Sequence, residues 1–483
     1  MSGWRLEHTY AALPELFHAR VAPTPVRDPE FVIFNADLAG ALGLDVQVLD
    51  SPAGAAIFGG NVLPEGARPL AQAYAGHQFG HFTPLGDGRA ILLGEQITLD
   101  GHRVDVQLKG AGPTPYSRRG DGRAALGPML RELVVSEAMH ALGIPTSRSL
   151  AVVSNGEPVY RERPLPGAVL TRVAASHLRV GTFEWAAAHR DQAALSALAD
   201  YTVCRHYPEV AGVDRPYLAL FDAVAEHQAA LIAQWQLVGF IHGVMNTDNM
   251  ALSGETLDYG PCAFMDTYDP ATVFSSIDSQ GRYAYVNQPA IAQWNLARLA
   301  EAMLPLFDAD QARGIEVANA SIARFDARFQ HHWLTGMRAK LGLFTADPDD
   351  AALVAALLTW MQSTRADFTN TFRMLCTAGA ADELAQADAV FRAWHRQWQT
   401  RIERQPQSPA EAVAQMQRSN PAVVPRNHKV EEALAAATDE GDLGPVERLM
   451  AALANPYDHT RSRPEFSSPP PPGGHPYRTF CGT

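Results

Sequence analysis

A short stretch in the middle of the chain, from His242 to Asp258, most constrains how this sequence can fold. It reads His-Gly-Val-Met-Asn-Thr-Asp-Asn and, nine residues later, Asp-Tyr-Gly-Pro. The apolar pattern over 218–237 predicts a long helix before it, and a Ser-Gly-Glu turn predicts a short hairpin within it. A helix, loop and hairpin in this order would bring the side-chain oxygens of Asp248, Asn249 and Asp258 together.

The stretch resembles the catalytic segment of protein kinases with one rearrangement. The kinase pattern H-x-D-x-x-x-x-N contains a catalytic Asp and a metal-binding Asn. His242 and Asn249 fit it, but Val244 stands in the Asp position and a carboxylate appears later, at Asp248. The oxygens of Asn249 and Asp258 suit Mg²⁺ or Mn²⁺ on nucleotide phosphates, and Asp248 suits the proton of an attacking hydroxyl. We therefore predict a nucleotide-dependent transferase, against the alternative of ordinary turn carboxylates.

A candidate phosphate-binding lysine precedes this motif. The segment 104–109 alternates like a strand and ends on Lys109, as does the kinase strand whose Lys meets the phosphates. An amphipathic helix predicted over 128–142 offers Glu132 and Glu137 as partners. Taken alone, Lys109 is more simply interpreted as a lysine at the edge of a sheet, exposed to solvent. Because a helix with two glutamates follows, a phosphate-binding lysine becomes the better interpretation.

Two basic loops punctuated by glycine lie on either side of the lysine strand, at 86–89 and 118–123. Glycine lets backbone N–H groups approach a phosphate, and arginine adds a cation. Plain surface turns are the alternative for both loops. Arg172 and Arg179 fall near the expected junction of two lobes, where guanidinium donors suit the outer phosphates of a nucleotide, although most arginines are surface or salt-bridge residues.

The order of elements predicts an α+β chain with a protein-kinase-like bilobal fold. We expect an N-terminal extension over 1–60, a small strand-rich nucleotide-binding N-lobe over 61–180, a large helical C-lobe over 181–460, and a flexible C-terminal tail over 461–483. The later helices are expected over 290–306, 311–342, 350–363, 380–403, 409–418 and 429–453.

Composition excludes several classes of protein. The 483-residue chain has a formal net charge of -13, which argues against general nucleic-acid binding. No segment approaches the roughly 18 to 20 apolar residues of a membrane span. The N-terminal sequence lacks the charged and apolar regions of a secretory signal. A cytoplasmic protein that binds neither nucleic acid nor membrane is expected.

Neither cysteines nor histidines predict a zinc site. The four cysteines lack C-x-x-C spacing, and Cys481 stands alone near the C-terminus as either a redox-active or an incidental thiol. His77 and His81 have the spacing of a helical metal pair, but Gly80 weakens a helix and no adjacent glutamate supplies a base. We read these histidines as structural or surface residues.

Several long strings identify the family that the chain resembles. They are 72–80 (QAYAGHQFG), 85–90 (LGDGRA), 107–118 (QLKGAGPTPYSR), 242–250 (HGVMNTDNM), 258–261 (DYGP), 287–289 (NQP) and 294–296 (WNL). Over nearly its whole length the chain resembles the selenoprotein O family of protein adenylyltransferases with a kinase fold, also known in bacteria as YdiU. The resemblance implies transfer of AMP from ATP to Ser, Thr or Tyr hydroxyls of target proteins, with release of pyrophosphate and with self-modification as a further candidate reaction.

The resemblance also implies roles for individual residues. ATP would lie reversed relative to kinases, so that its α-phosphate faces the acceptor. Asp248 would accept the proton, while Asn249 and Asp258 would bind Mg²⁺ or Mn²⁺. Glu132, rather than Glu137, would pair with Lys109. The residues implied to form the nucleotide site are Gly86, Gly88, Arg89, Lys109, Asp121, Gly122, Glu132, Arg172 and Arg179.

Other functions stay open at this point. Some members are described as transferring UMP from UTP with Mn²⁺. An ordinary kinase, with Asp248 replacing the missing Asp, is a second alternative, and Val244 also allows a pseudokinase that binds nucleotide without turnover. The family places selenocysteine or cysteine near the C-terminus, where Cys481 stands. In some members a disulfide joins that tail to the segment after the metal-binding Asp, which here offers Cys262.

Overall fold

The computed structural model describes residues 2–461, 463–471, 473 and 477–480, in which a strand-rich part precedes a larger helical part. The strands are β1 Leu6–Glu7, β2 His18–Arg20, β3 Glu30–Phe34, β4 Leu70–Gln72, β5 Ala75–Gln78, β6 His81–Pro84, β7 Ala90–Ile97, β8 Arg103–Lys109, β9 Ala124–Ala125, β10 Arg148–Tyr160, β11 Pro164–Ala174, β12 Phe240–Ile241 and β13 Ala263–Phe264. The chain is thus a mixed α and β protein, with its strands concentrated before residue 175.

The helices follow a similar division, with most of their length after residue 180. They are α1 Ala36–Ala41, α2 Val46–Leu49, α3 Pro52–Phe58, α4 Leu126–Ala141, α5 Val180–Ala188, α6 Gln192–His206, α7 Pro216–Val238, α8 Gln288–Phe307, α9 Gln311–Ala323, α10 Phe325–Lys340, α11 Asp350–Thr364, α12 Phe368–Leu375, α13 Ala380–Ala387, α14 Ala389–Glu403, α15 Pro409–Ser419, α16 Asn427–Ala435, α17 Gly444–Leu453 and α18 Pro464–Ser467. None of the helices in the described ranges is both long and apolar enough to cross a membrane.

The main antiparallel sheet of the strand-rich part has the strand order β2-β4-β7-β8-β11-β10-β3, with β1 paired to β7 and β9 to β11, and β5 and β6 form a separate hairpin. The N-terminal segment supplies β2 and β3 at its two edges. Side chains alternate between the faces of a strand, so β8 buries Val106 and Leu108 in the core shared with the first helices. Gln107 and Lys109 point to the opposite face, where Arg172 lies opposite Gln107 in the β8–β11 register.

Helix α4 covers that second face. It packs on β10 and β11, and its other side contacts α16 and α17 near the end of the chain. Met129 and Leu133 of α4 share one core with Val430 and Leu449. The C-terminal helices therefore return to the strand-rich part and hold the helix that carries Glu132.

Helix α7 lies at the centre of the helical part, where it packs on α8 and α10. The left-handed Gly239 (φ 73°) ends α7, and β12 then leads into the motif at His242. A single 3-10 turn, Thr247–Asn249, presents the candidate catalytic residues.

Three segments that were each predicted to be one continuous helix are divided in the structure, so these three predictions are wrong. The segment 311–342 divides at Arg324, 380–403 divides at Asp388, and 429–453 divides around a π-helical turn, Ala436–Glu440. Asp388 ends one helix and caps the next, because its carboxylate accepts the backbone N–H groups of Val390 and Phe391. Such caps favour a helix start over a continuous helix.

Candidate active site

A cluster of buried charges lies between the sheet and the 242–258 loop. The Nζ of Lys109 is 2.5 Å from Glu132 Oε2 and 2.9 Å from Asp258 Oδ1. Arg172 donates through Nη1 to Asp258 Oδ1 (2.5 Å) and through Nη2 to Gln107 Oε1 (2.7 Å). Glu137, the other candidate partner of Lys109, instead accepts from Arg148 at 2.6 and 2.8 Å. The structure thus brings Lys109, Glu132, Arg172 and Asp258 together.

Arg179 joins this cluster from the start of α5. Its Nη1 donates to Asp258 Oδ2 (2.7 Å) and to the backbone oxygen of Asp248 (2.6 Å). Its guanidinium lies 4.7 Å from the centre of the Tyr74 ring. The Nε atoms of Arg172 and Arg179 are buried and have no hydrogen-bond partner among the described residues.

The cluster carries an excess of positive charge. Lys109, Arg172 and Arg179 face the two carboxylates Glu132 and Asp258. Burial would raise the pKa of Asp258, but Arg172, Lys109 and Arg179 together lower that pKa well below its ordinary value. Asp258 is therefore ionised, and these five side chains by themselves have one more positive than negative charge. Guanidinium and ammonium donors in excess suit a phosphate ligand.

Asp248 lies beside this cluster in a different electrostatic state. Only 8% of its surface is exposed, and its Oδ1 atom has no hydrogen-bond partner among the described residues. Burial raises the pKa of Asp248 to about 6, although Arg179 acts in the opposite direction. A poorly solvated carboxylate that lines the cleft and has a pKa near neutrality is suited to accept a proton.

The β5–β6 hairpin fixes the position of Asp248. Its strand β5 lies against the 3-10 turn, where His77 N–H donates to Thr247 Oγ1 (2.7 Å) and Phe79 N–H donates to Asn246 Oδ1 (3.0 Å). Thr247 in turn donates to Glu184 of α5 (2.7 Å), which also contacts His77 Nδ1 (2.6 Å). His77 and His81 thus lie on the two strands of a hairpin, where His77 is half-buried and His81 is exposed.

A substitution at Gly76 tests this contact. A Cβ atom at Gly76 would lie 2.1 Å from Asp248 Oδ1, so Gly76→Ala must displace the carboxylate. A displacement of this size is expected to lower the turnover number by about 10²-fold. Gly40→Ala is the matched control, because no heavy atom lies within 4 Å of the added methyl group there. Equal activity of both variants, at unchanged melting temperature, would contradict this role of the hairpin.

Asn249 and Asp258 are the residues that could hold a metal ion. Asn249 donates its amide N–H to the Val244 carbonyl oxygen (3.0 Å), which leaves its own carbonyl oxygen for another partner. Asp258 has a left-handed backbone (φ 62°), an uncommon conformation for a residue other than glycine. No group of three or more His, Cys, Asp or Glu side chains in the described ranges has a metal-binding arrangement. Two protein oxygens completed by phosphate oxygens and water are a normal Mg²⁺ site.

The predicted loop residues line the same cleft, whose volume is about 880 Å³. These residues are Gly86, Gly88, Arg89, Asp121 and Gly122. Gly86 has a positive φ of 123°, and a Cβ atom there would lie 2.5 Å from the Tyr116 ring. Asp121 is exposed at the rim, where it forms an ion pair with Arg161 (2.8 Å). The cleft therefore joins both glycine-containing loops to the charged cluster.

Sequence reasoning missed several residues of the site. Gln107, Asp87 and Asn246 were not singled out, yet Gln107 holds both Arg172 and Asp87 Oδ2 (3.0 Å). The two-residue strand period could have identified Gln107, because it shares a face with Lys109. No local signal marks Tyr74, whose place under Arg179 depends on tertiary packing.

The described part of the tail contacts the segment that follows Asp258. Thr479 donates through Oγ1 to the Pro261 oxygen (2.7 Å) and through N–H to the Phe274 oxygen (2.8 Å). Phe480 lines the cleft and is 74% exposed. Cys262 is buried, whereas the prediction for Cys481 concerns a residue outside the described ranges.

Comparison with known proteins places the chain in a family. A sequence model described as Protein adenylyltransferase SelO matches residues 3–454. Proteins named Protein nucleotidyltransferase YdiU are similar over full length. The one from Geobacillus kaustophilus is 59% identical over 483 residues, covering 100% of both chains. Those from Brevibacillus brevis and Bacillus cytotoxicus are 59% and 57% identical over 482 residues, covering 100% of this chain and 98% of each relative. The chain therefore belongs to the SelO family of protein adenylyltransferases, which is a family of nucleotidyltransferases.

Proposed function

We propose that this enzyme transfers AMP from ATP to Ser, Thr or Tyr hydroxyls of target proteins and releases pyrophosphate. The observation that carries the proposal is the placement of Asp248, a buried carboxylate that lines the cleft, directly beside a cluster of three buried cations. Family membership supports a nucleotide substrate and protein targets. A protein-kinase-like fold is part of the proposal, supported by the Lys109–Glu132 pair between a strand and a helix.

The chemistry of the cleft favours a reversed nucleotide. Arg172 lies near the end of β11, whereas Gly167 of the same strand pairs with β9 at the start of α4. At about 3.3 Å per residue, these two positions are roughly 16 Å apart. The cleft wall near Gly167 includes the apolar side chains of Leu126, Leu165 and Leu434, with ion pairs such as Arg163–Asp439 beside them. We place the nucleobase against these leucines, which directs the terminal phosphates towards Arg172 and Arg179.

In the proposed reaction the acceptor hydroxyl attacks the α-phosphorus. Its proton passes to Asp248, the new O–P bond forms, and the bond between the α-phosphorus and the bridging oxygen breaks. Pyrophosphate leaves on that oxygen and is held by Lys109, Arg172 and Arg179. Because these donors are already fixed by Asp258, Glu132 and Gln107, they need little reorganisation during transfer.

The donor set fits a divalent cation. Asn249 and Asp258 would hold it together with phosphate oxygens, and both Mg²⁺ and Mn²⁺ accept such oxygen ligands. When bound, the ion would neutralise charge on the phosphates. Asp258 would then share its charge between the ion and the three cations that surround it.

The pKa of Asp248 predicts how the rate depends on pH. Asp248 accepts a proton only as the carboxylate, and burial raises its pKa to about 6. The rate constant kcat/KM is therefore expected to rise with pH through about pH 6 and to level off above it. A profile measured between pH 5 and about 8, with salt and metal held constant, checks this. The residual activity of Asp248→Asn should lack the rise, and a wild-type rate independent of pH in that range would contradict the assignment.

Label transfer tests the proposed function directly. Incubation of the purified chain with ATP labelled on the α-phosphate should leave label on protein. With ATP labelled on the γ-phosphate, the label should instead appear in the released pyrophosphate. The reverse pattern would identify a kinase and overturn the proposal. Parallel reactions with α-labelled UTP compare the two nucleotides on the same preparation.

A further inference from the structure

Asn246 lies two residues before Asp248 and is held in one orientation. Its Oδ1 atom accepts two hydrogen bonds, from Phe79 N–H (3.0 Å) and from Tyr283 O–H (2.6 Å). Both donors are themselves supported, since the Phe79 and Tyr283 rings pack with their centroids 5.1 Å apart. Asn246 is only 3% exposed, so this orientation is set by packing as well as by hydrogen bonding.

The amide nitrogen of Asn246 is left without a partner. No hydrogen bond from Nδ2 exists among the described residues, although the side chain lines the cleft together with Asp248 and Asn249. Nδ2 is not one of the fully buried atoms without a partner, so it is open to a ligand or to water. A donor that is oriented, unpaired and beside the proton acceptor therefore points to a ligand atom at this place.

We propose that Asn246 is a further catalytic residue, which donates through Nδ2 to a non-bridging oxygen of the α-phosphate. The proposal rests on the function proposed above and adds a residue to it. A donor on the attacking hydroxyl oxygen would occupy the lone pair that forms the new bond. A donor on the non-bridging oxygen instead stabilises charge during transfer. A neutral amide suffices there, because the α-phosphate carries a single negative charge.

The proposed step conserves atoms and charge. The acceptor O–H gives its proton to Asp248, its oxygen bonds to the α-phosphorus, and pyrophosphate departs with the bridging oxygen. Asn246 keeps its protons throughout. Tyr283 acts as a positioning residue, since its hydroxyl donates to Asn246 Oδ1 (2.6 Å).

Sulfur substitution tests this contact. In the two diastereomers of ATP with sulfur on the α-phosphate, one non-bridging oxygen at a time becomes a poor hydrogen-bond acceptor. The diastereomer whose rate Cd²⁺ restores in place of Mg²⁺ reports a metal contact, and the other reports a protein contact. Asn246→Ala is expected to lower kcat with ATP by about 10²–10³-fold. The rate of this variant with the second diastereomer should stay close to the wild-type rate with that diastereomer. The ratio of the ATP rate to the diastereomer rate, which is the sulfur effect at that oxygen, should therefore fall to about one.

Two further variants keep the test decisive. Tyr283→Phe should lower kcat by about tenfold and reduce the same sulfur effect in part, which covers the case in which Asn246→Ala does not fold. Asn295→Ala is the matched control, because Asn295 is also a buried amide that contacts the loop, through Met245 O (3.0 Å). It should preserve the sulfur effects of the wild type. Binding of a non-hydrolysable ATP analogue, measured without metal, should change less than about threefold in all three variants.

The outcomes separate the two proposals. Unchanged sulfur effects in Asn246→Ala and Tyr283→Phe, with normal labelling by the wild type, would overturn the role of Asn246 alone. If Asn295→Ala also loses the sulfur effect, the loss comes from a disturbed loop and not from a missing hydrogen bond. That result would also overturn the role of Asn246. If the wild type carries no α-label on protein, the proposed function fails, and the Asn246 proposal fails with it.

Discussion

Asp248→Asn is expected to lower the rate of AMP transfer by about 10²–10⁴-fold, the range for loss of a general base. Asparagine has nearly the same shape, so ATP binding should change little. The loss should therefore appear in kcat rather than in KM for ATP. Initial rates of α-label incorporation at saturating ATP measure it, and a variant with wild-type kcat would contradict the assignment of Asp248 as proton acceptor.

The same substitution is expected to stabilise the ligand-free protein. Burial raises the pKa of Asp248 to about 6 from an ordinary value of 3.8. The folded state thus binds more protons than the unfolded state between these values, and wild-type stability falls as pH rises through that window. Above it, a buried charge with an unpaired oxygen remains. Asparagine removes that charge, so the melting temperature at pH 8 should rise by about 1–2 °C, whereas at pH 4 the difference should vanish.

Asp258→Asn is expected to have the opposite effect on stability and to abolish transfer. Asp258 accepts from Lys109, Arg172 and Arg179, with 22% of its side chain exposed. Removing its charge leaves Glu132 as the remaining carboxylate in direct contact with Lys109 and Arg172, and leaves Arg179 without a carboxylate contact among the described residues. Breaking a buried ion pair from one side typically costs about 3–5 kcal/mol. We expect a loss of stability near the lower end, because the site is partly open to water.

The melting temperature in the presence of inorganic pyrophosphate distinguishes this electrostatic effect from a general loss of folded structure. Since the cations of Asp258→Asn lack their carboxylate, added pyrophosphate should raise its melting temperature more than that of the wild type. Asp439→Asn is the control, because Asp439 forms an exposed ion pair with Arg163 (2.9 Å) and should change stability by less than about 0.5 kcal/mol. Equal melting temperatures of wild type and Asp258→Asn, without any added response to pyrophosphate, would contradict the description of the cluster.

The parts of the site that follow from local pattern could be predicted from sequence. Strand alternation predicts that Lys109 and Gln107 share a face, and the following helix supplies Glu132. The long helix before His242 was also predicted, and the structure ends it at Val238. These features depend on neighbouring residues, so periodicity and spacing contain the necessary information.

The parts that depend on distant packing could not be predicted. The hairpin turn at Phe79 and Gly80 requires positive φ at both residues (51° and 89°), and phenylalanine gives no such signal. Likewise, the contact of α16 and α17 with α4 joins segments about 300 residues apart in the chain. The engagement of Asp258 by three cations also arises only once β8, β11 and α5 are packed together.

The central claim is that the cleft holds ATP with its terminal phosphates on Lys109, Arg172 and Arg179 and its α-phosphorus next to Asp248. A crystal structure with a non-hydrolysable ATP analogue and Mg²⁺ or Mn²⁺ tests it most directly. We predict that Asp248 lies closer to the α-phosphorus than to the γ-phosphorus, with the base between Leu126 and Leu434. A γ-phosphate next to Asp248, with the base against Arg179, would contradict the account.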